Sequence, residues 1–94
     1  MVVEVQPRSL LVTRRLAVRN YWRDDRNKRK AALQRGFADA LGTSTTAITV
    51  FELGDRDDFP NGAGVREYVR HLEKLEREVA RDKARVEAKK RGAA

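Results

Sequence analysis

Few residues in this chain have the type and spacing of a catalytic or metal-binding site. The only histidine, His71, falls on a charged helical stretch without a candidate nucleophile or metal ligand beside it, and cysteine is absent. Asp55 and Asp57 alternate as in calcium loops, but Phe59 stands at the next ligand position. We therefore expect no enzymatic activity, no metal or other cofactor and no small-molecule substrate, and we expect His71 to be solvated.

The chemistry that the composition does favour is contact with phosphate groups. The net charge is +7, from 21 Lys and Arg against 14 Asp and Glu. Residues 8–35 and residues 63–94 are both strongly basic, whereas the segment between them is acidic. Basic flanks of this kind suit the backbone of a nucleic acid. The alternative, from charge alone, is a solvated surface on a short arginine-rich protein.

The length of 94 residues suits one domain with a modest core, so we expect association with a second copy. Without cysteine there is no disulfide framework, and nothing requires an oxidising compartment. Residues 1–6 lack the basic leader and apolar core of a secretion signal, and no apolar run approaches the length of a membrane span. The sequence predicts a soluble, cytoplasmic protein with no membrane partner.

The first part of the chain reads as a short extended run followed by a helix. Residues 2–5 alternate valine with Glu4, which predicts an edge strand or an ordered arm that Pro7 ends. Ser9 can cap a helix that runs to about Trp22, with apolar residues at helical spacing on one face and arginines on the other.

A second helix is predicted from Asp24 and Asp25 to Leu41. The two carboxylates can accept hydrogen bonds from the free amide groups of a first helical turn. Apolar residues then recur three or four positions apart, and Gly42 follows as glycine often does at a helix end. One unbroken helix of this length is expected.

Residues 43–53 fit two structures. As a helix, the segment is capped by Ser44 and places Ile48 and Phe51 toward the core. As a strand, its Thr, Ile, Val and Phe content is what a pleated surface favours. In the strand interpretation, residues 2–6 would pair with residues 46–53 in a two-stranded ribbon.

The segment from Phe37 to Arg56, F-A-D-A-L-G-T-S-T-T-A-I-T-V-F-E-L-G-D-R, resembles the helix-turn-helix of the Cro and lambda-repressor-like family. It matches the family's core pattern without gaps over about twenty residues. Ala38 is the small residue where the two helices cross, and Leu41 and Gly42 form the end of the first helix and the turn. Ser44 stands at the start of the second helix, and Ile48 and Phe51 are its inward positions. Glu52 and Gly54 are the pair that closes the motif.

The resemblance implies a set of DNA contacts. The second helix of the motif would lie in the major groove with Thr45, Thr46 and Thr49 nearest the base edges. Gln34, Arg35 and Arg56 would contact phosphates. The chain departs from the family at Val50 and Leu53, where polar residues are common, and at Leu33, where a hydroxyl residue usually precedes the glutamine. The segment before Leu33 also lacks the family's glycine turn.

The last third of the chain predicts a long helix, from about residue 63 to residue 91. Apolar residues recur every seven positions with companions between them, which is the spacing of a dimerisation seam. The predicted seam consists of Val65, Tyr68, Leu72, Leu75 and Val79. The alternative is that this stripe packs on the chain's own amino-terminal helices.

Together these features predict a mainly α protein, a small helical bundle with a central helix-turn-helix and a long C-terminal helix. Residues 1–58 would form the helical part with the motif, and residues 59–94 the linker and long helix, within one structural domain. The predicted function is DNA binding as a homodimer, by a transcriptional regulator of phage or mobile-element type. DNA is expected rather than RNA. The alternatives are a structural or assembly protein, such as a virion or ribonucleoprotein component, and a protein-binding antitoxin or inhibitor.

Overall fold

The computed structural model describes residues 7–59 and 64–92 and folds them into five helices. They are α1 (Arg8–Tyr21), α2 (Arg26–Ala31), α3 (Gln34–Leu41), α4 (Thr45–Glu52) and α5 (Val65–Gly92). The predicted fold class is confirmed: a small helical bundle with a helix-turn-helix at its centre and a long C-terminal helix. Between residues 7 and 92, the described segments contain no strand beyond an isolated bridge between Asp58 and Gly64.

Helix α1 begins two residues earlier than the sequence predicts. Pro7, and not Ser9, is its N-cap, and the Pro7 carbonyl accepts hydrogen bonds from the amides of Leu10 and Leu11. The prediction that Ser9 caps this helix is therefore wrong. Proline suits this boundary because its fixed φ and missing N–H group cost nothing where a helix starts.

The predicted second helix is in fact two helices, α2 and α3. Asp25 caps α2 as expected, since its side chain accepts a hydrogen bond from the Lys28 amide at 3.1 Å. The break falls at Ala32 and Leu33, where Leu33 is extended at φ −81° and ψ 162°. There the Ala32 carbonyl accepts a hydrogen bond from Arg15 Nη1 at 3.1 Å. The apolar positions whose spacing predicted the helix, Leu33, Phe37, Ala40 and Leu41, all lie at or after the break, so the spacing does not reveal it.

The turn between α3 and α4 follows from local signals in the sequence. Gly42 is left-handed at φ 69°, and the next amide, that of Thr43, returns to the Ala38 carbonyl at 2.9 Å. This is a common glycine-dependent helix end. Ser44 then caps α4 by accepting from the Ala47 amide at 3.1 Å. The helical interpretation of this segment is confirmed.

The alternative two-stranded ribbon is wrong for residues 46–53. Thr45–Glu52 is a helix, and Leu53 is its C-cap. β-Branched residues favour strands only weakly, and burial of one helical face together with the cap outweighs that preference. The other half of the predicted ribbon, residues 2–6, lies outside the described residues.

The Ser44 cap predicts a measurable loss of stability. Ser44→Ala removes the acceptor of the Ala47 amide and should lower the free energy of unfolding by about 1 kcal/mol in urea denaturation. Ser9→Ala is the matched control, because the Ser9 side chain makes no hydrogen bond and only its carbonyl accepts one, from Thr13. Equal losses in the two variants would contradict the capping role.

One hydrophobic core joins both predicted segments of the chain. At its centre the ring of Tyr68 lies 4.7 Å from that of Phe37 and 5.0 Å from that of Phe51. Phe59, from the linker, stacks 4.8 Å from Phe51. The buried apolar side chains come from every part of the bundle except the body of α2. They are Leu11, Val18, Trp22, Ala32, Phe37, Ala38, Leu41, Ile48, Phe51, Phe59, Tyr68, Leu72 and Leu75.

The predicted dimerisation seam is part of this core. Tyr68 and Leu72 are 0% exposed and Leu75 is 4% exposed within a single chain, while Val65 and Val79 pack against the same cluster. A second copy could reach Tyr68, Leu72 and Leu75 only by opening the core, whereas Val65 and Val79 are half-buried at its edge. The structure therefore corrects the assignment of the seam and agrees with the alternative of packing on the chain's own helices. A homodimer stays a prediction and requires a different surface.

The distal part of α5 leaves the bundle. From Lys83 to the end of the helix every residue is exposed, and Glu87 forms an ion pair with Arg91 at 3.8 Å. No helix in the described part of the chain has both the length and the apolar composition of a membrane span.

Candidate nucleic-acid interface

Helix α4 has one face fixed in the core and one face directed to solvent. Ile48 and Phe51 are fully buried, which fixes the rotation of the helix about its axis. Thr45 and Thr46, in its first turn, are both exposed. Only Gly42, Thr43 and Ser44 separate α4 from α3, so the two helices form one rigid corner. A short helix held in this way can present its outer side chains to a groove.

The three predicted base-contacting threonines are not equivalent. Thr45 and Thr46 are exposed, so their hydroxyls are accessible to a ligand. Thr49 is half-buried, and its hydroxyl donates toward Gln34 Oε1 and the Thr45 carbonyl, both at 3.1 Å. Because a hydroxyl has a single proton, Thr49 can offer a base only its acceptor capacity.

Gln34 lies beside α4 because both the nitrogen and the oxygen of its side-chain amide form hydrogen bonds with α4 residues. Its Nε2 donates to Glu52 Oε1 at 2.8 Å, and its Oε1 accepts from Thr49. One N–H of the Gln34 amide remains for a further acceptor. The predicted phosphate contact by Gln34 therefore stays a prediction, restricted to that one donor.

Arg35 lies in a basic groove at the start of α3. The groove has a volume of about 680 Å³ and is formed where α2 ends against α3, with Lys30 and Arg35 on its walls and Asp39 as its one acid. No side chain caps α3, so the groove opens next to the free amide groups of a first helical turn. Lys30 was not expected here, because the predicted single helix would not have folded it back toward Arg35.

Arg56 has a less favourable setting than Arg35. It is exposed in the turn after α4, and its neighbours Asp55, Asp57 and Asp58 are exposed as well. Asp57 pairs with Arg8 at 2.9 Å, which leaves the other two acids to offset the charge of Arg56. Arg56 is the weakest of the predicted phosphate contacts.

A buried polar network behind α4 ties the corner to the rest of the bundle. Arg15 donates to the Glu52 carboxylate from Nε at 2.6 Å and from Nη2 at 3.0 Å. Tyr68 from α5 and Gln34 from α3 donate to the same carboxylate. Four helices therefore meet at one acid, and this acid fixes where α4 and Gln34 lie.

The charge state of the network follows from its hydrogen bonds. Burial alone would raise the pKa of Glu52, but the donors Arg15, Tyr68 and Gln34 outweigh it, so the pKa of Glu52 lies below its ordinary value. Burial and the hydrogen bond to Glu52 raise the pKa of Tyr68. At neutral pH the carboxylate is charged and the phenol is neutral.

The sequence contains a signal for this network that apolar spacing alone does not reveal. Arg15 occupies a position of the apolar stripe of α1, between Leu11 and Val18, where a charged residue is unexpected unless it is paired. It is only 6% exposed. Its partner Glu52 follows Phe51 on the inner face of α4, so both members stand at core positions.

His71 is not solvated, contrary to expectation. Its ring meets that of Phe37 edge-on at 4.5 Å, and its Nε2 is buried with no hydrogen-bond partner. Burial lowers the pKa of His71, despite a hydrogen bond with the Ala31 backbone, so the ring is neutral at pH 7. It fills space between α3 and α5.

Within residues 7–59 and 64–92, no three His, Asp or Glu side chains come together as a metal site.

Comparisons of this chain with models of protein families, with curated proteins and with solved structures find no match.

Proposed function

We propose that this chain is a small DNA-binding protein, a transcriptional regulator, that places α4 in the major groove of duplex DNA. The observation that carries the proposal is the division of α4 into two faces. Ile48 and Phe51 anchor it to the core, whereas Thr45 and Thr46 at its exposed start can reach base edges. Early and outward positions of a helix in this setting are the ones that contact bases.

The basic groove at the start of α3 supplies the phosphate contacts in this proposal. Gln34 bonds directly to Thr49 of α4, and Arg35 follows Gln34 on α3, so the groove that Arg35 and Lys30 line begins one residue from this contact. Contacts with phosphates on either side of a groove fix the position of a helix without selecting a sequence. The net charge of +7 adds long-range attraction to the duplex.

The assembly-protein alternative has lost its specific support. A strand over residues 46–53 favoured it, and that segment is helical. An antitoxin or inhibitor with a gripping terminal helix has no observation in its favour beyond the exposed distal part of α5. DNA binding is the function that the arrangement of α3 and α4 supports best.

Titration with short duplexes at varied salt tests the proposal. Affinity should fall steeply as salt rises, with a slope of about −0.9 for each phosphate contact on a plot of log affinity against log salt. The double variant Lys30→Ala and Arg35→Ala should weaken binding to all sequences and reduce the slope by about 2.

The matched control is the pair Arg70→Ala and Lys74→Ala, which removes the same two residue types from another groove, between α3 and α5. Both side chains are exposed on α5. They lie on the far side of the core from α4, because Glu52 and Tyr68 join the inner faces of α4 and α5. The control should keep most of the salt slope. An equal loss in both pairs, or no binding at low salt, would contradict the proposal.

A further inference from the structure

The outer face of α4 carries methyl groups in place of long polar side chains. Thr45, Thr46 and Leu53 are exposed, Leu53 to 71%, and Val50 between them is half-buried. No Arg, Lys, Asn or Gln occurs from Thr43 to Asp55. A helix with such a face cannot make the bidentate hydrogen bonds by which Arg selects guanine or Asn and Gln select adenine.

Hydrogen bonding from this face is further limited by the network behind it. The Thr49 proton is directed at Gln34 and at the Thr45 carbonyl, and the Gln34 amide is held at both ends by α4. The donors that remain are the hydroxyls of Thr45 and Thr46 on the face and one N–H of the Gln34 amide beside it. What the face offers over most of its area is apolar surface.

We propose, on the basis of the proposed DNA-binding function, that α4 recognises the C5-methyl groups of thymines in the major groove. Thymine is the only base of unmodified DNA that presents an apolar group there. Val50 and Leu53 contact these methyl groups, and the methyl groups of Thr45 and Thr46 extend the same surface. The preferred duplexes are therefore those that place thymine methyls along one turn of the groove.

The same surface also disfavours other sequences. A G·C pair opposite Val50 or Leu53 would place its polar edge against a side chain that cannot form a hydrogen bond. Removing water from that edge without a new partner carries a free-energy cost. Discrimination then comes from both the attractive methyl contact and this unpaired polar edge.

The surroundings of the face favour a nucleic acid over an apolar protein segment as the occupant. Arg35 follows Gln34, whose amide bonds to Thr49 of α4, and the exposed Arg56 stands three residues after Leu53. These cations complement phosphates that flank a major groove, and the exposed Asp55, Asp57 and Asp58 offset part of the charge of Arg56. The apolar area is also narrow, a single line of side chains on a helix of eight residues. That width suits the edges of stacked base pairs.

Thymine replacement tests the inference. Selection from random duplexes gives a preferred site, which is then synthesised with thymine or with uracil, because uracil keeps the pairing edge and lacks only the methyl group. Each contacted methyl removed should weaken binding about fourfold, which corresponds to about 0.8 kcal/mol. Cytosine replaced by 5-methylcytosine in a G·C-rich duplex should strengthen binding where the new methyl faces Val50 or Leu53.

Two variants connect the effect to the residues. Val50→Thr keeps the side-chain volume and exchanges one methyl for a hydroxyl, and it should reduce the preference for thymine over uracil. Leu53→Ala, at a position 71% exposed, shortens the apolar surface without affecting the core and should do the same. Val86→Thr is the matched control, because Val86 is a 44% exposed valine on the distal part of α5. It should leave the preference unchanged.

The possible outcomes distinguish a failure of thymine-methyl recognition from a failure of the proposed DNA-binding function. A preferred site that binds equally well with uracil, or a selection that yields no preferred site, overturns the inference. Salt-dependent binding that still requires Lys30 and Arg35 would then leave the DNA-binding function in place. Failure to bind any duplex at low salt overturns both.

Discussion

Glu52→Ala should be among the most destabilising single substitutions in this chain, with a loss of about 3–5 kcal/mol in the free energy of unfolding. The substitution leaves the Arg15 guanidinium, 7% exposed, buried without its counter-ion. Tyr68 and Gln34 lose the same acceptor. Small domains are stable by only about 5–15 kcal/mol, so urea denaturation should show a large fall in the midpoint.

Two controls separate burial from ion pairing. Asp57→Ala removes a pair with Arg8 at 2.9 Å whose carboxylate is 94% exposed, and it should cost less than about 1 kcal/mol. The double variant Arg15→Met and Glu52→Gln removes both charges and leaves an amide oxygen to accept from Tyr68. It should recover part of the loss, because no uncompensated charge stays buried. A loss for Glu52→Ala as small as that for Asp57→Ala would contradict the structure.

The pH dependence of stability gives a second readout of the same carboxylate. The pKa of Glu52 is lower in the folded chain than its ordinary value of 4.5, so its stabilising contribution is present above pH 4.5. That contribution is lost as the pH falls through the folded-state pKa. The wild-type chain should therefore lose stability in acid more steeply than Glu52→Gln, which cannot titrate. Parallel acid profiles for the two proteins would mean that folding does not change the pKa of Glu52, and they would contradict this prediction.

Local signals allowed the corner of α3 and α4 to be predicted from the sequence. Gly42 as a left-handed helix end, Ser44 as a cap, and the inward positions of Ile48 and Phe51 each depend on residues within a few positions. The same is true of Asp25 at the start of α2. Interactions of this range are encoded in the segment itself, so the caps and the inward positions could be predicted from it. The choice of helix over strand for residues 43–53 also depends on the burial of one helical face.

Interactions between distant segments could not be predicted in this way. Glu52 lies 37 residues from Arg15 and 16 from Tyr68, so their meeting depends on how α1, α4 and α5 cross. The apolar stripe of α5 shows the same limit. Heptad spacing predicts that one face of the helix is buried, but it does not predict which element covers that face. The topology of the chain decides this, and here the chain's own helices cover the apolar stripe of α5.

The join between α2 and α3 depends on a glycine whose role the sequence did not indicate. A Cβ atom at Gly36 would lie 2.2 Å from the carbonyl oxygen of Lys30 and 2.7 Å from that of Ala31. Both neighbours are backbone atoms, which cannot move away as a flexible side chain can. The absence of a side chain at Gly36 is therefore what lets the end of α2 rest on the first turn of α3.

Gly36→Ala should lower the free energy of unfolding by at least about 1–3 kcal/mol, because the added methyl group must force α2 and α3 apart. In an unconstrained helical position the same change stabilises by up to about 1 kcal/mol, since alanine is the better helix former. Gly92→Ala is the matched control, with no atom within 4 Å of the added Cβ, and it should be neutral or slightly stabilising. Opposite signs in urea denaturation are the expected result, and a stabilising Gly36→Ala would contradict the close approach. Because this contact also brings Lys30 beside Arg35, the proposed DNA-binding function predicts that a Gly36→Ala protein that still folds binds duplex DNA more weakly than Gly92→Ala.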